Sequence, residues 1–209
     1  MDPFVITLVT SNEMKRREFE CIAKTFDPSV VIKCINVETD EIQSTNVENV
    51  ASAKIDDVCA IMGRKGIDDN EIVIIDDTGL EIDGMNGFPG ALIKFYIKSI
   101  GAEAIVERDG GSKAKAITCL GVMFGTEKYL FTGTTDGSIV EKKEFNMDYA
   151  DVRSNWDVVF VPELDKSDIN YGATFYDMDP EIKNTMSPRY KAIKKLMGFI
   201  ASIRMKVSE

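Results

Sequence analysis

The stretch that decides the fold covers residues 76–94 and reads DDTGLEIDGMNGFPGALIK. It follows the apolar run 72–75, which predicts a buried strand ending in the carboxylates of Asp76 and Asp77. One proline and four glycines then predict about a dozen residues without regular structure. Because Mg²⁺ takes one or two carboxylates together with phosphate oxygens, acidic groups at a strand end beside a glycine-rich loop indicate a cation site. An acidic surface turn is the alternative interpretation.

The composition is that of an ordinary globular protein, with 44% hydrophobic and 29% charged residues over 209 positions. The net charge of −10 argues against general binding to nucleic acid or to an acidic membrane, since both reward basic surfaces. A nucleotide ligand remains open, because it needs only a local cluster of Lys and Arg. The sequence shows neither a secretory leader nor an apolar run of membrane-spanning length, so we expect a cytoplasmic protein.

The absence of histidine narrows the chemistry, because it excludes His-based zinc sites and both Ser-His-Asp and Cys-His catalysis. Any acid–base step must therefore use carboxylates, Lys, Tyr, Cys or metal-bound water. The four cysteines, Cys21, Cys34, Cys59 and Cys119, have no CxxC spacing. This pattern argues against a disulfide framework and predicts reduced, buried thiols.

Hydrophobic periodicity divides most of the chain into strands and helices. The predicted strands cover residues 4–9, 30–37, 72–75, 114–124, 128–134, 137–142 and 158–161. The predicted helices cover residues 12–26, 47–62, 91–100, 103–108 and 187–205, and residues 66–70 form a predicted linker. Helices alternate with strands first and antiparallel strands follow, so the sequence predicts an α/β fold with a mixed sheet.

The first predicted strand leads through a polar turn into a helix, with Thr10, Ser11 and Asn12 in the turn and Lys15 about one turn inside. This geometry points free backbone N–H groups and the positive end of the helix dipole at an anion. An ordinary N-cap by Ser11 or Asn12 is the alternative, and these residues alone favour it, since the turn is not a Walker A loop.

Other candidate residues are unremarkable one by one. Glu41 lies in a polar loop, and Lys54 lies in the predicted helix 47–62, where a solvated lysine is the ordinary interpretation. Trp156 and Asp157 could pair an aromatic plane with an acceptor for a nucleotide base, or Trp156 could simply anchor a strand.

A similar ambiguity holds at the last helix. Lys183, Ser187 and Arg189 place cations and donors near its start. A serine N-cap followed by Pro188 at the first helical position is, however, also a standard helix beginning.

Taken together and in this order, these features resemble the inosine triphosphate pyrophosphatase family, whose members hydrolyse non-canonical purine nucleoside triphosphates. The resemblance runs from about residue 5 to residue 200, and its most specific part is the D-T-G-L and G-x-P-G signature in residues 76–94. The other matches are Thr10 to Lys15 for the family's T/S-G-N-x-x-K, Glu41-Ile42-Gln43 for E-x-Q, Lys54 for its helical lysine, residues 154–157 for F-G-W-D, residues 174–178 for T-F/Y-A-E-M, and residues 183–189 for K-N-x-x-S-H-R.

The resemblance implies a single domain spanning residues 1–209, with two lobes around a long mixed sheet and a nucleotide-binding cleft between them. It implies hydrolysis of ITP, dITP and XTP to the monophosphate and pyrophosphate, with Mg²⁺ as cofactor and usually a homodimeric assembly. The implied roles are triphosphate binding by Thr10, Asn12, Lys15 and Lys54, catalysis by Asp77 and Glu41, and metal binding by Glu41, Asp76 and Asp77. Contacts to the ribose and base are implied for Lys94, Trp156, Asp157, Lys183 and Arg189. Ser11, Ser154 and Ser187 are further predicted substrate-binding residues.

Some positions depart from the family pattern. Ser154 stands where the family has a base-stacking Phe, Asn155 where it has Gly, and Pro188 where it has His; Ser11 also replaces a Gly. The phosphate and metal half stays intact, whereas base selectivity is left open. Such divergence would suit a specialised copy, for example a viral one. Two alternatives remain: a nucleotide-binding sensor with weak turnover, and a related pyrophosphatase with another base preference.

Overall fold

The computed structural model describes residues 5–63 and 71–207. Residue 4 of the first predicted strand and the predicted linker 66–70 lie outside the described residues. The described strands are β1 (Val5–Val9), β2 (Val31–Ile35), β3 (Glu71–Ile82), β4 (Pro89–Gly90), β5 (Lys113–Phe124), β6 (Glu127–Ile139) and β7 (Phe160–Pro162). The described α-helices are α1 (Glu13–Phe26), α2 (Val47–Met62), α3 (Ile93–Asp109), α4 (Pro180–Met186) and α5 (Pro188–Val207).

The strands form one mixed sheet in the order β2-β1-β3-β5-β6-β7, with β4 paired to β3. β1 runs parallel to β2 and to β3, and the other pairs are antiparallel. Parallel neighbours need crossover connections, which α1 and α2 supply, while β5 and β6 form a long hairpin. The prediction of an α/β fold with a long mixed sheet flanked by helices is confirmed.

Side chains of β3 alternate between the two faces of the sheet, and this alternation sets up the site. Ile74 packs in a core cluster with residues of α1 and α5, whereas Ile75 packs in a second cluster with residues of α2. A third cluster joins the end of β3 to α3 and β7. By the same alternation, Asp76 belongs to the α1/α5 face and Asp77 to the α2 face.

The predicted end of the acidic strand at Asp77 is wrong, because β3 continues to Ile82. Gly79 does not break the strand but lets other elements approach it. A Cβ at Gly79 would lie 2.4 Å from Cγ2 of Val47 and 2.8 Å from the carbonyl carbon of Gly90. The glycine therefore serves close packing of α2 and β4, and the irregular segment begins later than predicted.

The separate strand predicted over residues 137–142 is also wrong. β6 runs without interruption to Ile139, and Gly137 stays in the ladder opposite Pro162. A Cβ at Gly137 would lie 2.2 Å from the carbonyl oxygen of Val161, so only glycine lets β7 pair this closely.

The helices follow the predicted pattern more closely. Helix α2 has the predicted bounds, and its C-cap is Gly63. Helix α3 covers the two short helices predicted from sequence, which are separated by Gly101 with a φ of 82°. Within the described ranges, no helix is both long enough and apolar enough to cross a membrane.

All four cysteines are free thiols, but the prediction that they are buried is wrong for Cys21 and Cys34, which are exposed. They lie on α1 and on the edge strand β2, where outward positions face solvent. Cys119 is buried in the sheet, and this burial raises the pKa of its thiol to about 11.

Candidate active site

Asp76 is a buried carboxylate held by two cations. Arg189 donates from Nε to Oδ2 at 2.8 Å and from Nη2 to Oδ1 at 3.3 Å. Lys15 Nζ lies 2.9 Å from Oδ1 and donates to the Asp76 carbonyl oxygen at 2.8 Å. Burial alone would raise the pKa of Asp76, but the charges of Arg189 and Lys15 outweigh it and hold the pKa well below its usual range. Asp76 is therefore an anion with both oxygens engaged.

Asp77, one residue further along β3, has the opposite environment. Its side chain is half-buried on the α2 face, and its Oδ2 atom is buried without a hydrogen-bond partner among the described residues. Burial raises the pKa of Asp77 to about 6, against the weaker opposing effect of the Lys15 and Lys54 charges. A carboxyl with a free oxygen and a pKa near neutrality has the properties of a general base.

Lys54 and Glu41 form an ion pair close to Asp77. Lys54 projects from α2, and its Nζ lies 3.0 Å from Oε1 of Glu41 in the polar loop before the helix. Burial alone would raise the pKa of Glu41, but the hydrogen bond and charge of Lys54 outweigh it and lower the pKa. Lys54 is thus not simply a solvated lysine, since it faces a site with two carboxylates.

The start of α1 forms an ordinary N-cap, which was the interpretation favoured by these residues alone. Oδ1 of Asn12 accepts hydrogen bonds from the backbone N–H groups of Met14 and Lys15, at 3.0 and 3.2 Å. Oγ1 of Thr10 accepts from the backbone N–H of Asn12. Ser11 is exposed in the same turn. The capped turn nevertheless borders the cleft described below, so the positive end of the helix dipole faces it.

Five elements or connections meet in a buried ion-pair network, which consists of Lys15, Glu18, Asp76, Asp157, Lys183 and Arg189. Glu18 accepts from Lys183 Nζ at 2.9 Å with one oxygen and pairs with Arg189 Nη1 through the other. Lys183 Nζ also donates to Oδ2 of Asp157 at 2.6 Å. Three cations and three carboxylates compensate one another, so the network is formally neutral.

The shifts in pKa within this network follow from its pairing. Burial alone would raise the pKa of Glu18, but the charges of Arg189 and Lys183 lower it overall. For Lys183 and Arg189 burial acts in the opposite sense, and the neighbouring carboxylates outweigh it and raise both pKa values. All three groups therefore stay charged near neutral pH.

Sequence reasoning missed Glu18. Its signal was available, because Glu18 follows Lys15 by three residues and so lies on the same face of α1. Its partners could not be found in this way, since Lys183 and Arg189 lie more than 160 positions along the chain.

The segment before β7 contributes an aromatic side and a carboxylate. Trp156–Val158 form a short 3-10 helix, and the backbone N–H of Asp157 donates to Oδ1 of Asn155 at 3.0 Å. Trp156 is half-buried and meets Phe160 edge to face, with ring centroids 5.9 Å apart. Trp156 therefore anchors the start of β7, as one of the two interpretations predicted, and it also borders the cleft. A contact with a nucleotide base stays a prediction. Asn155, where the family has Gly, caps this turn.

All of the predicted site residues border one cleft of about 430 Å³. Those residues are Thr10, Ser11, Asn12, Lys15, Glu41, Lys54, Asp76, Asp77, Lys94, Ser154, Trp156, Asp157, Lys183, Ser187 and Arg189. The α2 side of the cleft carries Asp77, Lys54 and Glu41, and the α1/α5 side carries the buried ion-pair network. Glu18 and Thr118, which were not predicted, border the same cleft.

The residues present fit a cation that takes only one or two ligands from the protein and the others from the substrate phosphates. In residues 5–63 and 71–207, no three acidic or thiol side chains are grouped so that they could enclose a metal ion. Mg²⁺ does not require such a cage, since it is held through one or two carboxylates plus substrate phosphates. The unpartnered Oδ2 of Asp77 and the exposed carboxylate of Glu41 match that requirement. Asp76 was also predicted as a metal ligand, but both of its oxygens are already paired with cations.

The fold and the cleft together define an α/β protein. Its site combines lysines with a carboxylate that has one buried, unpartnered oxygen, and this combination suits a phosphorylated ligand. The family model described as the Ham1 family matches residues 6–199. The chain is 31% identical over 206 residues to the inosine triphosphate pyrophosphatase of Candida glabrata, which covers 96% of this chain and 99% of that protein. It is also 31% identical to the protein of the same name from Saccharomyces cerevisiae, over 93% of this chain and 95% of that one.

Solved structures agree in fold. A HAM1 protein from Coxiella burnetii superimposes with a TM-score of 0.68 at 19% identity, covering 95% of this chain and 99% of that one. The Ham1 protein of Staphylococcus aureus gives a TM-score of 0.62 at 21% identity, covering 95% and 98%. The protein described here belongs to the Ham1 family.

Proposed function

We propose that this protein hydrolyses non-canonical purine nucleoside triphosphates, such as ITP, dITP and XTP, to the monophosphate and pyrophosphate. The relatives named inosine triphosphate pyrophosphatase support the reaction and the substrate class. The observation that carries the proposal in this chain is Asp77, a half-buried carboxyl with one buried, unpartnered oxygen, beside Lys54 and Glu41.

In the proposed reaction, water adds to phosphorus at the α–β anhydride, and the bond to the bridging oxygen breaks with its electron pair leaving on pyrophosphate. Asp77 orients the attacking water and takes its proton. Without a bound cation, burial raises the pKa of this carboxyl to about 6. Lys54 and Lys15 offset the charge of the phosphates, and the capped start of α1 adds backbone N–H groups.

We propose Mg²⁺ as the cofactor, held by Asp77 and Glu41. When bound, it would supply Lewis-acid stabilisation of phosphate charge. We assign Asp76 instead to fixing Arg189 and Lys15, because its oxygens are already paired.

We also propose that the chain forms one two-lobed domain and assembles as a homodimer in the cytoplasm. Its ligand would be a nucleoside triphosphate, and we expect it to bind neither nucleic acid nor a membrane. The family resemblance supports the dimer, and the net charge of −10 supports the absence of nucleic-acid binding. Light scattering coupled to size exclusion would measure the assembly.

The reaction is tested by incubating the protein with ITP, dITP, XTP and the four standard nucleotides in Mg²⁺ and measuring pyrophosphate directly. We expect pyrophosphate from the non-canonical purines, and none from Asp77→Asn, while that variant still binds nucleotide. Release of orthophosphate alone would contradict the cleaved bond.

The same assay decides the two alternatives. A binding-only sensor would bind nucleotide without turnover and would be indifferent to Asp77→Asn. A pyrophosphatase with another base preference would show it in the panel; Ser154 and Pro188 are the departures that motivate this second possibility.

A further inference from the structure

Thr118 carries a buried hydroxyl without a hydrogen-bond partner. In the described part of the chain, four buried side-chain oxygens lack a partner, and they belong to Asp77, Asp109, Thr118 and Asn184. Of these four residues, Asp77 and Thr118 border the cleft. Asp77 already has a role in the proposed reaction, whereas nothing above gives one to Thr118.

The strand register places Thr118 beside the start of α5. Thr118 on β5 pairs with Gly133 on β6, and directly opposed residues share a face of the sheet. A Cβ at Gly133 would lie 2.1 Å from the carbonyl oxygen of Pro188 and 2.6 Å from the backbone nitrogen of Ala192. The Thr118 side chain is therefore on the α5 face, with Asp76 and Arg189, and on the opposite face from Asp77.

The charged groups on this side of the cleft are committed to one another. Arg189 is paired with Asp76 and Glu18, and Lys183 is paired with Glu18 and Asp157. Pro188, which borders the cleft between them, has no backbone N–H to donate. The Thr118 hydroxyl can both donate and accept, and it is not used by the fold.

An unpaired buried hydroxyl destabilises a protein, and valine has nearly the same shape without that penalty. A threonine at this position is therefore explained by a partner that arrives from the cleft.

We propose that Thr118 is a substrate-recognition residue whose hydroxyl forms a hydrogen bond with the nucleoside half of the substrate, its base or its sugar, and not with the phosphates. The assignment rests on the proposed function, because it takes the ligand to be a nucleotide. The proposed reaction places the phosphates among Asp77, Lys54 and Lys15, near the start of α1. This leaves the nucleoside to the part of the cleft at the start of α5, where Pro188 and Thr118 border it.

The test compares Thr118→Val with Thr118→Ser and with the control Thr134→Val, an exposed β6 threonine that does not border the cleft. Titration calorimetry measures the affinity for inosine monophosphate, ribose 5-phosphate and pyrophosphate. For Thr118→Val we expect an inosine monophosphate affinity about 3- to 10-fold weaker, as for one lost neutral hydrogen bond, and an unchanged pyrophosphate affinity. Thr118→Ser and Thr134→Val should behave as the wild type.

The melting temperature provides the second readout. Thr118→Val should melt at or above the wild-type temperature, because an unsatisfied buried group is removed. A lower melting temperature with unchanged inosine monophosphate affinity would overturn the proposal, and so would equal losses for inosine monophosphate and pyrophosphate. If the valine variant does not fold, Thr118→Ala gives the same comparison.

Measurements with the different ligands distinguish failure of this proposal from failure of the proposed reaction. A loss shared by ribose 5-phosphate places the hydroxyl at the sugar, and a loss confined to inosine monophosphate places it at the base; both support the proposal. Wild-type protein that binds inosine monophosphate but releases no pyrophosphate from ITP contradicts the proposed reaction and leaves the Thr118 comparison readable. Wild-type protein that binds no nucleotide overturns both.

Discussion

At the scale of single residues, the neighbouring carboxylates Asp76 and Asp77 show how one strand can present two kinds of acid. Because side chains alternate across a sheet, Asp76 meets Arg189 and Lys15 while Asp77 meets the apolar α2 face. The first is held ionised by paired cations, and the second is pushed toward protonation by burial. A fixed anion and a proton acceptor thus stand one residue apart.

The raised pKa of Asp77 predicts how stability depends on pH in metal-free buffer. The folded-state pKa of about 6 lies above the ordinary value of 3.8, so the folded state holds a proton that the unfolded state has lost between these pH values. This contribution to stability is fully present below about pH 4 and is lost as pH rises through 6. We therefore expect the free energy of unfolding of Asp77→Asn, relative to that of the wild type, to increase by on the order of 2–3 kcal/mol from pH 4 to pH 7. Urea unfolding in EDTA at the two pH values measures this gain, and an equal difference at both would contradict it.

Lys54 gives a residue-scale prediction about binding. Lys54→Ala should weaken triphosphate binding by about 1–3 kcal/mol more than monophosphate binding, because a charge-assisted contact to the outer phosphates is lost. Calorimetry with a non-hydrolysable ITP analogue and with inosine monophosphate measures the two affinities.

Lys128→Ala is the matched control, since Lys128 pairs with Asp56 outside the cleft. Lys15→Ala is less informative, because it also removes a partner of buried Asp76 and should lower the melting temperature. Equal weakening for both nucleotides in Lys54→Ala would argue against the phosphate role.

At the scale of elements, the position of α5 on the sheet determines where Arg189 points. The helix starts directly over Gly133 of β6, and the backbone at Pro188 and Ala192 occupies the space that any Cβ would need. Ser187, at the preceding position, accepts the backbone N–H of Tyr190 at 3.1 Å and so caps the helix start. A close approach that only glycine permits therefore holds Arg189 against Asp76.

Gly133 packs against α5 and Gly198 lies within it, and we expect alanine substitutions at these two positions to change stability in opposite directions. Gly133→Ala should cost about 1–3 kcal/mol or more in the free energy of unfolding, because backbone atoms must move to admit the methyl group. Gly198→Ala should add about 0.5–1 kcal/mol, because its Cβ would meet nothing within 4 Å beyond the neighbouring backbone of its own helix, and alanine favours the helix. Chemical denaturation measures both, and only Gly133→Ala should also weaken nucleotide binding. A stable Gly133→Ala variant with normal binding would show that α5 does not need this approach.

At the scale of the whole molecule, the buried ion-pair network ties α1, β3, α4, α5 and the turn before β7 together around the cleft. Its members come from distant parts of the sequence, and its formal charges cancel. Removing one member therefore leaves an uncompensated charge in a buried place.

Arg189→Met should cost about 3–5 kcal/mol, because Asp76 and Glu18 both lose a partner. Adding Glu18→Met removes one of the stranded charges, so the double variant should cost less than the sum of the two single variants. A double-mutant cycle measured by urea unfolding at pH 7 gives the coupling. Additive costs would mean that the two residues act independently and that the network is not a unit.

Much of the fold could be predicted from local patterns, because local rules decide it. The apolar face and the terminal Gly63 define α2, and the alternation of helices with strands before a hairpin indicates a mixed α/β sheet. Those rules failed where a glycine serves packing with a distant element. Gly79 and Gly137 both look like breaks in the sequence, and both lie inside strands because another backbone approaches them.

The sequence by itself also determined many of the residues that border the cleft, since those that the motifs name all lie there. What only the tertiary structure decided is the environment of each one. Asp76 and Asp77 are equivalent in the sequence, and their contrast arises from which helix covers each face of β3. Glu18 and Thr118 carry no local signal of their partners, because ion pairing and an unsatisfied hydroxyl depend on residues that only folding brings within a few ångströms.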